Sequence, residues 1–472
     1  MRNVSLTESV ADYALSLRYE DIPENVLVHA RTLLADHLAC AFGGSVTPLA
    51  SSVRAFARFT GGEPRCSVPG LETKTSTLMA AFVQASFANA LDYDDTGSRG
   101  HPGASIIPAV LALSSGLKLS GRELLTAMVI GYEVNDRVAR ATLPSPECYA
   151  KVHANGSLQA IGVAAACGRL VGLDREKMLN CLGIAGAMAP VPHAGKFGWE
   201  DKSIASVKDN VALPSENGVR AAVLALNGYE GSESVLDGES GFAAMLGSDR
   251  CDPDILCDFS AFTLPGVCLK PYPCCRWIHP ALDALSELKA DCGFSSRDVV
   301  SLDVATTPPV AARFGKRRAR TFLDMEFSTP LTLALLLNDV PRARWFESCH
   351  WDSPTVRETA AVVTLTGDDG LWKRFLELGR NSSCVPAAIT VTLRDGRKVK
   401  SLCDRASGSP EKPLSAEAQA RKWRELMVSA CGQDAAELLE TARRVDELAC
   451  VDTLTSLFPV VGDGPKSGAQ CS

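Results

Sequence analysis

Most of the short motifs that announce a chemistry are missing from this chain. It has no G-x-G-x-x-G after a strand-like run, no Walker loop, no G-x-S-x-G and no H-E-x-x-H. Nucleotide chemistry, serine hydrolysis and zinc proteolysis therefore lose support. No C-x-x-C occurs among the 17 cysteines, which argues against a zinc ribbon or a thioredoxin-type site. The odd, scattered count reads as small core residues in a reducing compartment, and only Cys274–Cys275 stand as a pair. Positive charge is not in excess: 48 Lys and Arg face 55 Asp and Glu, for a net −7. That offers no broad surface to nucleic acid or anionic lipid. "KRRAR", residues 316–320, is too short to change this and reads as a solvated face or an active-site rim. No apolar run approaches the ~20 residues of a membrane span. The start, "MRNVSLTESVADYALSL", carries acids and lacks the apolar core of a signal peptide. The expectation is a soluble, cytoplasmic protein with no evident organelle targeting, no membrane partner and no nucleic-acid partner.

What is present is a long, ordinary globular chain. Its 472 residues imply two or three domains and a large core, with 46% hydrophobic and 22% charged residues. Apolar residues recur at helical spacing from residue 5 to about 250. In "DIPENVLVHARTLLADHLACAFGG", Asp21 and Glu24 have capping-box spacing; Ser120 and Glu123 repeat it in "SGRELLTAMVIGYEVNDRVARA". "SLQAIGVAAACGRLVGLD" and "ENGVRAAVLALNGYEG" predict Ala-rich helices whose small residues permit close approach. Near residue 265 the texture changes. "DVVSLDVATT" and "AAVVTLTGDD" predict strands, and "AAITVTLRDGRKVKSL" predicts a hairpin turning at Asp395-Gly396. "PLTLALLLND" is one apolar helix between them. From about 409 the pattern returns to helix. This predicts a mainly α fold: a helical domain over 1–265, completed by 409–460, a smaller α+β domain over 266–408, and a disordered tail over 461–472.

Three polar clusters could carry chemistry. "LDYDDTGSRGHPGAS", residues 91–105, sets Asp92, Asp94, Asp95, Thr96, Arg99 and His101 between two apolar helices. Acids in such a loop serve as solvated turn residues or caps, which accounts for Asp94 and Asp95. His101, before Pro102-Gly103, is held at a helix amino terminus, an end that attracts anions. A His, a Thr and an Asp converging there can bind and protonate a carboxylate. "LKPYPCCRWIHPALDAL" brings Lys270, Arg276 and His279 into a proline-stiffened segment at the domain boundary, either an anion site or a surface loop. Lys208 precedes an Ala-rich helix and reads alone as a solvated lysine. His153 and His193 are loop histidines before helices. His29, His37 and His350 read as structural.

Taken in order, "LDYDDTGSRGHPGASIIPAVLAL", "GYEV", "VHANGSLQAIGVAAACGRLVGLD", "GVRAAVLALNGYEG", "ESGFAAML" and "LKPYPCCRWIHPALDAL" resemble the MmgE/PrpD family across roughly residues 5–460. That family includes 2-methylcitrate dehydratase, cis-aconitate decarboxylase and an iminodisuccinate epimerase. The resemblance implies a large helical domain with an α+β lid, a homodimer, an active site between the domains, and no metal or organic cofactor. It implies that Asp92 and Thr96 are the active-site Asp and Thr of D-[FY]-x-D-T, and that His101 is a catalytic candidate. It places Lys208 and the Lys270–Pro273 segment, with Tyr272, in the site. His279 follows as the downstream histidine and His153 as a pocket-lining one. Gly97 stands where many members carry a larger residue, and "VKDNVALPSENG" is closer to broad bacterial-type members than to the dehydratase or the decarboxylase.

All three reactions work beside a carboxylate. They need cations to neutralise carboxylates and a proton carrier that titrates near neutrality. Lys208, Lys270 and Arg276 suit the first need, His101 and His279 the second. Asp92 would tune a partner and Thr96 would hydrogen-bond a substrate carboxylate. The resemblance thus implies a cofactor-independent lyase on a small di- or tricarboxylate, with dehydration of a 2-methylcitrate-like acid first. Decarboxylation of cis-aconitate to itaconate comes second and epimerisation third. A catalytically inactive helical scaffold is the alternative of another kind; it predicts His101 and Lys208 far apart and an uncharged cleft.

Overall fold

Small residues decide how the helices of the first 250 positions meet. The helix Gly121–Ala141 crosses the helix Ala160–Leu170 where Gly162 lies on Gly131. A Cβ at Gly162 would stand 2.6 Å from the Gly131 carbonyl oxygen and 2.9 Å from Asn135 Cβ, so only glycine permits this approach. The computed structural model describes residues 5–149, 151–194, 210–379, 384–459 and 461. Helices Leu6–Ser16, Glu24–Gly44, Pro48–Thr60, Thr77–Ala88, Pro102–Leu117, Arg175–Ala187 and Ala212–Leu226 complete the first layer.

One hydrophobic core runs through these helices from Val10 to Leu269 and takes in Trp423, Leu426, Met427, Leu438 and Leu454. The return of the chain after the sheet is thus buried against its beginning. The helix Ala416–Cys431 lies on Glu24–Gly44, where Lys422 Nζ reaches Asp36 Oδ2 at 2.8 Å and Trp423 Nε1 reaches Asp36 Oδ1 at 2.8 Å. Each fully buried Leu or Val side chain contributes about 1.5–3 kcal/mol here.

A second core, Tyr272 to Cys403, sits under a four-stranded sheet. The strand order is Val363–Gly367, Val299–Thr306, Ala387–Leu393, Lys398–Cys403, with the first pair parallel and the others antiparallel. Ala387–Leu393 alternates buried and half-buried positions, the period-2 pattern of a sheet with one covered face. Gly396 takes φ 87° in the turn expected at Asp395-Gly396, and Leu393 N–H donates to the Arg397 carbonyl at 2.9 Å. The apolar helix Thr329–Leu337 and the helix His279–Cys292 pack on the sheet. The fold is therefore mainly α with a smaller α+β part, as expected.

One local expectation changes. Ser120 and Glu123 form the capping box, with Ser120 N–H donating to Glu123 Oε2 at 2.8 Å. Asp21 does not cap the helix Glu24–Gly44. Pro23 holds the N-cap position, and Asp21 instead closes a short turn by accepting from Arg18 Nη2 at 2.7 Å. Among the described residues, no helix is long and apolar enough to cross a membrane. The tail expected over 461–472 lies, apart from residue 461, outside the described residues.

Candidate active site

The polar loop and the boundary segment meet. Thr96 and Cys268 pair as a short antiparallel bridge, Thr96 N–H to the Cys268 carbonyl at 3.0 Å and Cys268 N–H to the Thr96 carbonyl at 2.9 Å. Tyr93 Oη donates to the Pro271 carbonyl at 3.0 Å. These bonds fix residues 91–101 against 268–274 before any charge is considered.

Four charged or titratable side chains then form a line. Lys270 is fully buried, and its Nζ donates to Asp92 Oδ1 at 2.6 Å and to the Asp92 carbonyl at 2.8 Å. Asp92 takes a left-handed backbone, φ 47°, which Asp tolerates better than most residues. That turn lets one lysine hold both its carboxylate and its carbonyl. His101 Nε2 lies 3.4 Å from Asp92 Oδ1, and His101 Nδ1 lies 3.0 Å from Asp94 Oδ2. An Nδ1–H donated to Asp94 fixes the ring's tautomer and aim. Asn89 Nδ2 donates to both oxygens of Asp94, at 3.2 and 3.3 Å, and holds that carboxylate. Asp92, Asp94 and His101 bring ligand atoms within 4.8 Å of one another, and of the three Asp92 is the one that holds the Lys270 ammonium.

Behind this line lies Asp95. Its Oδ1 accepts from Gly103 N–H at 3.0 Å, and its Oδ2 accepts from Tyr132 Oη. Burial, and then the charge of Asp94, push the Asp95 carboxyl up to about 7. Gly103 is required here, because a Cβ would run into Tyr132 Oη and Asp95 Oδ2.

A cavity of about 180 Å³ opens on the line of charges. Asp92, Thr96, His101, His153 and Arg276 line it, together with Ser98 and Arg99. Thr96 Oγ1 donates to the Gly100 carbonyl at 3.1 Å, so its proton must leave that bond to serve a substrate. Arg276 is 3% exposed; its Nη1 donates to the Ser407 carbonyl at 2.7 Å and its Nη2 to the Ala406 carbonyl at 3.2 Å.

Other expected residues stand elsewhere. His279 does not line the cavity. Its Nε2–H donates to the Cys274 carbonyl at 3.1 Å and its Nδ1 accepts from Arg276 Nη1 at 3.0 Å. Complete burial, then Arg276 and Lys270, hold its pKa well below the usual histidine value. A neutral ring with both nitrogens engaged orients Arg276 and carries no proton to the cavity. Tyr272 is also core: its Oη donates to Asp283 Oδ1 at 3.1 Å and its ring packs with Trp345 and the Arg342 guanidinium. Lys270 acts from behind Asp92. Gly97 is not among the lining residues; a Cβ there would press Pro102 Cγ at 3.3 Å. Lys208 lies outside the described residues.

Sequence reasoning left out much of the opposite wall. Tyr149, Trp277, Val310, Arg313, Phe314, Phe327, Trp372 and Phe375 line the cavity from segments far apart in the chain. Only Trp277, one position after Arg276, lay in a segment already marked. Asp94 was read as a turn residue, though its spacing of seven from His101 across a glycine-rich loop left room for the bond it makes.

A buried Lys–Asp pair thus stands beside a histidine on a cavity lined from both halves of the chain, residues 92–155 and 275–385. The MmgE/PrpD N-terminal domain matches residues 8–253 and the MmgE/PrpD C-terminal domain matches 272–448, so the chain belongs to the MmgE/PrpD family. Its relatives include the cis-aconitate decarboxylase of Homo sapiens, 25% identical over 488 aligned positions that cover 99% of this chain and 97% of the relative. The cis-aconitate decarboxylase of Aspergillus terreus (strain NIH 2624 / FGSC A1156) is also 25% identical, covering 97% of this chain and 95% of the relative. That of Mus musculus is 24% identical, covering 96% and 93%.

Proposed function

We propose that this chain is a cofactor-independent lyase acting on a small di- or tricarboxylate, with decarboxylation of a cis-aconitate-like acid as the first reading. Asp92 and His101 on the cavity, held from behind by Lys270 and Asp94, carry it. Full-length similarity to proteins named as decarboxylases supports this reading, and the dehydration that the family resemblance put first is kept beside it.

The chemistry follows from the parts. In the decarboxylation, the bond between the leaving carboxylate and its methylene breaks and carbon dioxide departs. The electron pair moves into a new double bond, and the old double bond shifts charge onto the carbon beside a retained carboxylate. That charge spreads into the carboxylate as an enolate-like state, which a buried guanidinium such as Arg276 stabilises. His101 then delivers a proton to that carbon through the Nε2 side, while Asp94 holds Nδ1. Lys270 holds Asp92 in place beside the imidazole. His279 holds Arg276. Thr96 and Lys208 remain proposed carboxylate contacts.

Dehydration of a 2-methylcitrate-like acid is the second reading. It is favoured by His153, a second imidazole on the same cavity. One imidazole takes the proton beside the carboxylate and the other protonates the departing hydroxyl. The family's homodimer belongs to the proposal and is checked by light scattering on the purified chain.

Incubation with cis-aconitate, 2-methylcitrate and related acids, followed by proton NMR and carbon dioxide release, tests both readings. Carbon dioxide with a new exomethylene signal supports the first. A new vinyl signal without carbon dioxide supports the second. Deuterium uptake without net conversion points to epimerisation, and no change with any acid overturns the lyase reading.

A further inference from the structure

Two buried lysines hold consecutive carbonyls of the polar loop. Lys270 Nζ donates to the Asp92 carbonyl at 2.8 Å. Lys422 Nζ, from the helix Ala416–Cys431, donates to the Tyr93 carbonyl at 2.8 Å and lies 4.3 Å from the centre of the Tyr93 ring. Residues 92–95 belong to no helix or strand, and all four are buried. Buried carbonyls outside regular structure need donors, and here the donors are ammonium groups.

Tyr93 separates the two carboxylates that hold His101. Asp92 Oδ1 lies 3.4 Å from His101 Nε2, and Asp94 Oδ2 lies 3.0 Å from Nδ1. Tyr93 itself is fixed at three points: its carbonyl and its ring by Lys422, and its hydroxyl, which donates to the Pro271 carbonyl at 3.0 Å. A shift of Tyr93 therefore moves both carboxylates against the imidazole. Lys422 also pairs with Asp36, whose Oδ1 and Oδ2 lie 2.7 and 2.8 Å from Nζ. That pairing accounts for a buried charge on Lys422 but not for its bond to the loop.

Lys422 is not among the residues lining the cavity, so any effect on chemistry passes through the loop. Resting on the reading of His101 as the proton carrier of a carboxylate lyase, we infer that Lys422 is a positioning residue. From the returning helix it acts through Tyr93 and fixes how Asp92 and Asp94 hold the His101 ring.

The test compares two variants of the full chain, each checked for a native circular-dichroism spectrum. Asp36→Asn/Lys422→Met removes the ammonium and its counter-charge together, so no lone charge is left buried. Trp423→Phe removes one hydrogen bond to Asp36 and leaves Lys422 on Tyr93. Labelling the seven histidines with 15N reports the tautomer of the neutral His101 ring by NMR without substrate, and the signal lost in His101→Gln assigns it. Wild type and Trp423→Phe are expected to show the Nδ1–H tautomer alone, and the double variant a mixture. On the true substrate the double variant is expected to lose kcat by about 10- to 100-fold with little change in KM and a displaced pH profile. Trp423→Phe is expected to lose stability only. An unchanged tautomer and pH profile in the folded double variant overturn the inference, and so does an equal change in Trp423→Phe. If the double variant does not fold, Lys422→Arg decides, because it keeps the pair with Asp36 but puts a planar fork in place of the ammonium under Tyr93. A mixed tautomer there supports the inference and an unchanged one overturns it. The expected tautomers together with no turnover of any acid by the wild-type chain overturn the lyase reading and leave the hold of Lys422 on His101 standing.

Discussion

Lys270 Nζ lies 2.6 Å from Asp92 Oδ1, in a place where neither side chain meets solvent and 178 positions of chain separate the two. The pair ties the boundary segment to the polar loop and sets the floor beneath His101.

Breaking that pair from one side leaves a charge buried. Lys270→Met is expected to cost about 3–5 kcal/mol, because the Asp92 carboxylate then stands uncompensated. Asp92→Asn combined with Lys270→Met is expected to recover part of that stability while turnover stays lost. Urea unfolding of both variants checks this; equal stability of the single and double variants contradicts the pairing argument.

Asp94 acts through His101. Asp94→Asn is expected to lower kcat by about 10²-fold or more with little change in KM, since the ring loses its fixed tautomer but the cavity keeps its anion contacts. The pH profile of kcat/KM is expected to move with it. A purely structural Asp94 would lower the yield of folded protein and leave that profile in place.

The two buried histidines of the site separate by role. His101→Gln is expected to abolish turnover on the true substrate. His279→Gln is expected to lower the melting temperature, through about 1–3 kcal/mol of unsatisfied hydrogen bonding, without shifting the pH profile. Full turnover by His101→Gln sinks its assignment as proton carrier.

Asp95 gives a pH signature of stability. Its carboxyl stands at about 7 in the folded chain against 3.8 ordinarily. Between those values the folded chain holds a proton that the unfolded chain has released, so stability falls as pH rises from about 4 to 7. The penalty is complete above that window and reaches up to about 4 kcal/mol. Asp95→Asn removes it while still offering an oxygen to Gly103 N–H. The wild-type melting temperature, relative to this variant, is expected to drop between pH 5 and pH 8. A constant difference across that range contradicts the assignment.

Much of this was legible in advance wherever one stretch of chain holds the whole cause. Ser120 and Glu123 cap their helix because both partners lie within one turn. Asp395-Gly396 turns the hairpin because a glycine there can take a positive φ. Asp21 shows the limit even at short range: Pro23 took the N-cap position, and the spacing alone did not reveal it. Lys270, Arg276 and His279 lie within ten residues, yet one props Asp92, one faces the cavity and one serves the other from within the core. Nothing in their spacing separates those roles, since Lys270 and Arg276 depend on residues more than a hundred positions away and His279 follows Arg276.

The sequence by itself determined the helical layer, the sheet's alternation, the polar loop and the family's motifs, because periodicity, capping and turn chemistry act between near neighbours. Only the tertiary structure decided which carboxylate aims His101, which lysine pairs with Asp92, and that Trp372 and Phe375 line the same cavity. Those relations depend on burial and on distances of a few ångströms between segments that only packing brings together.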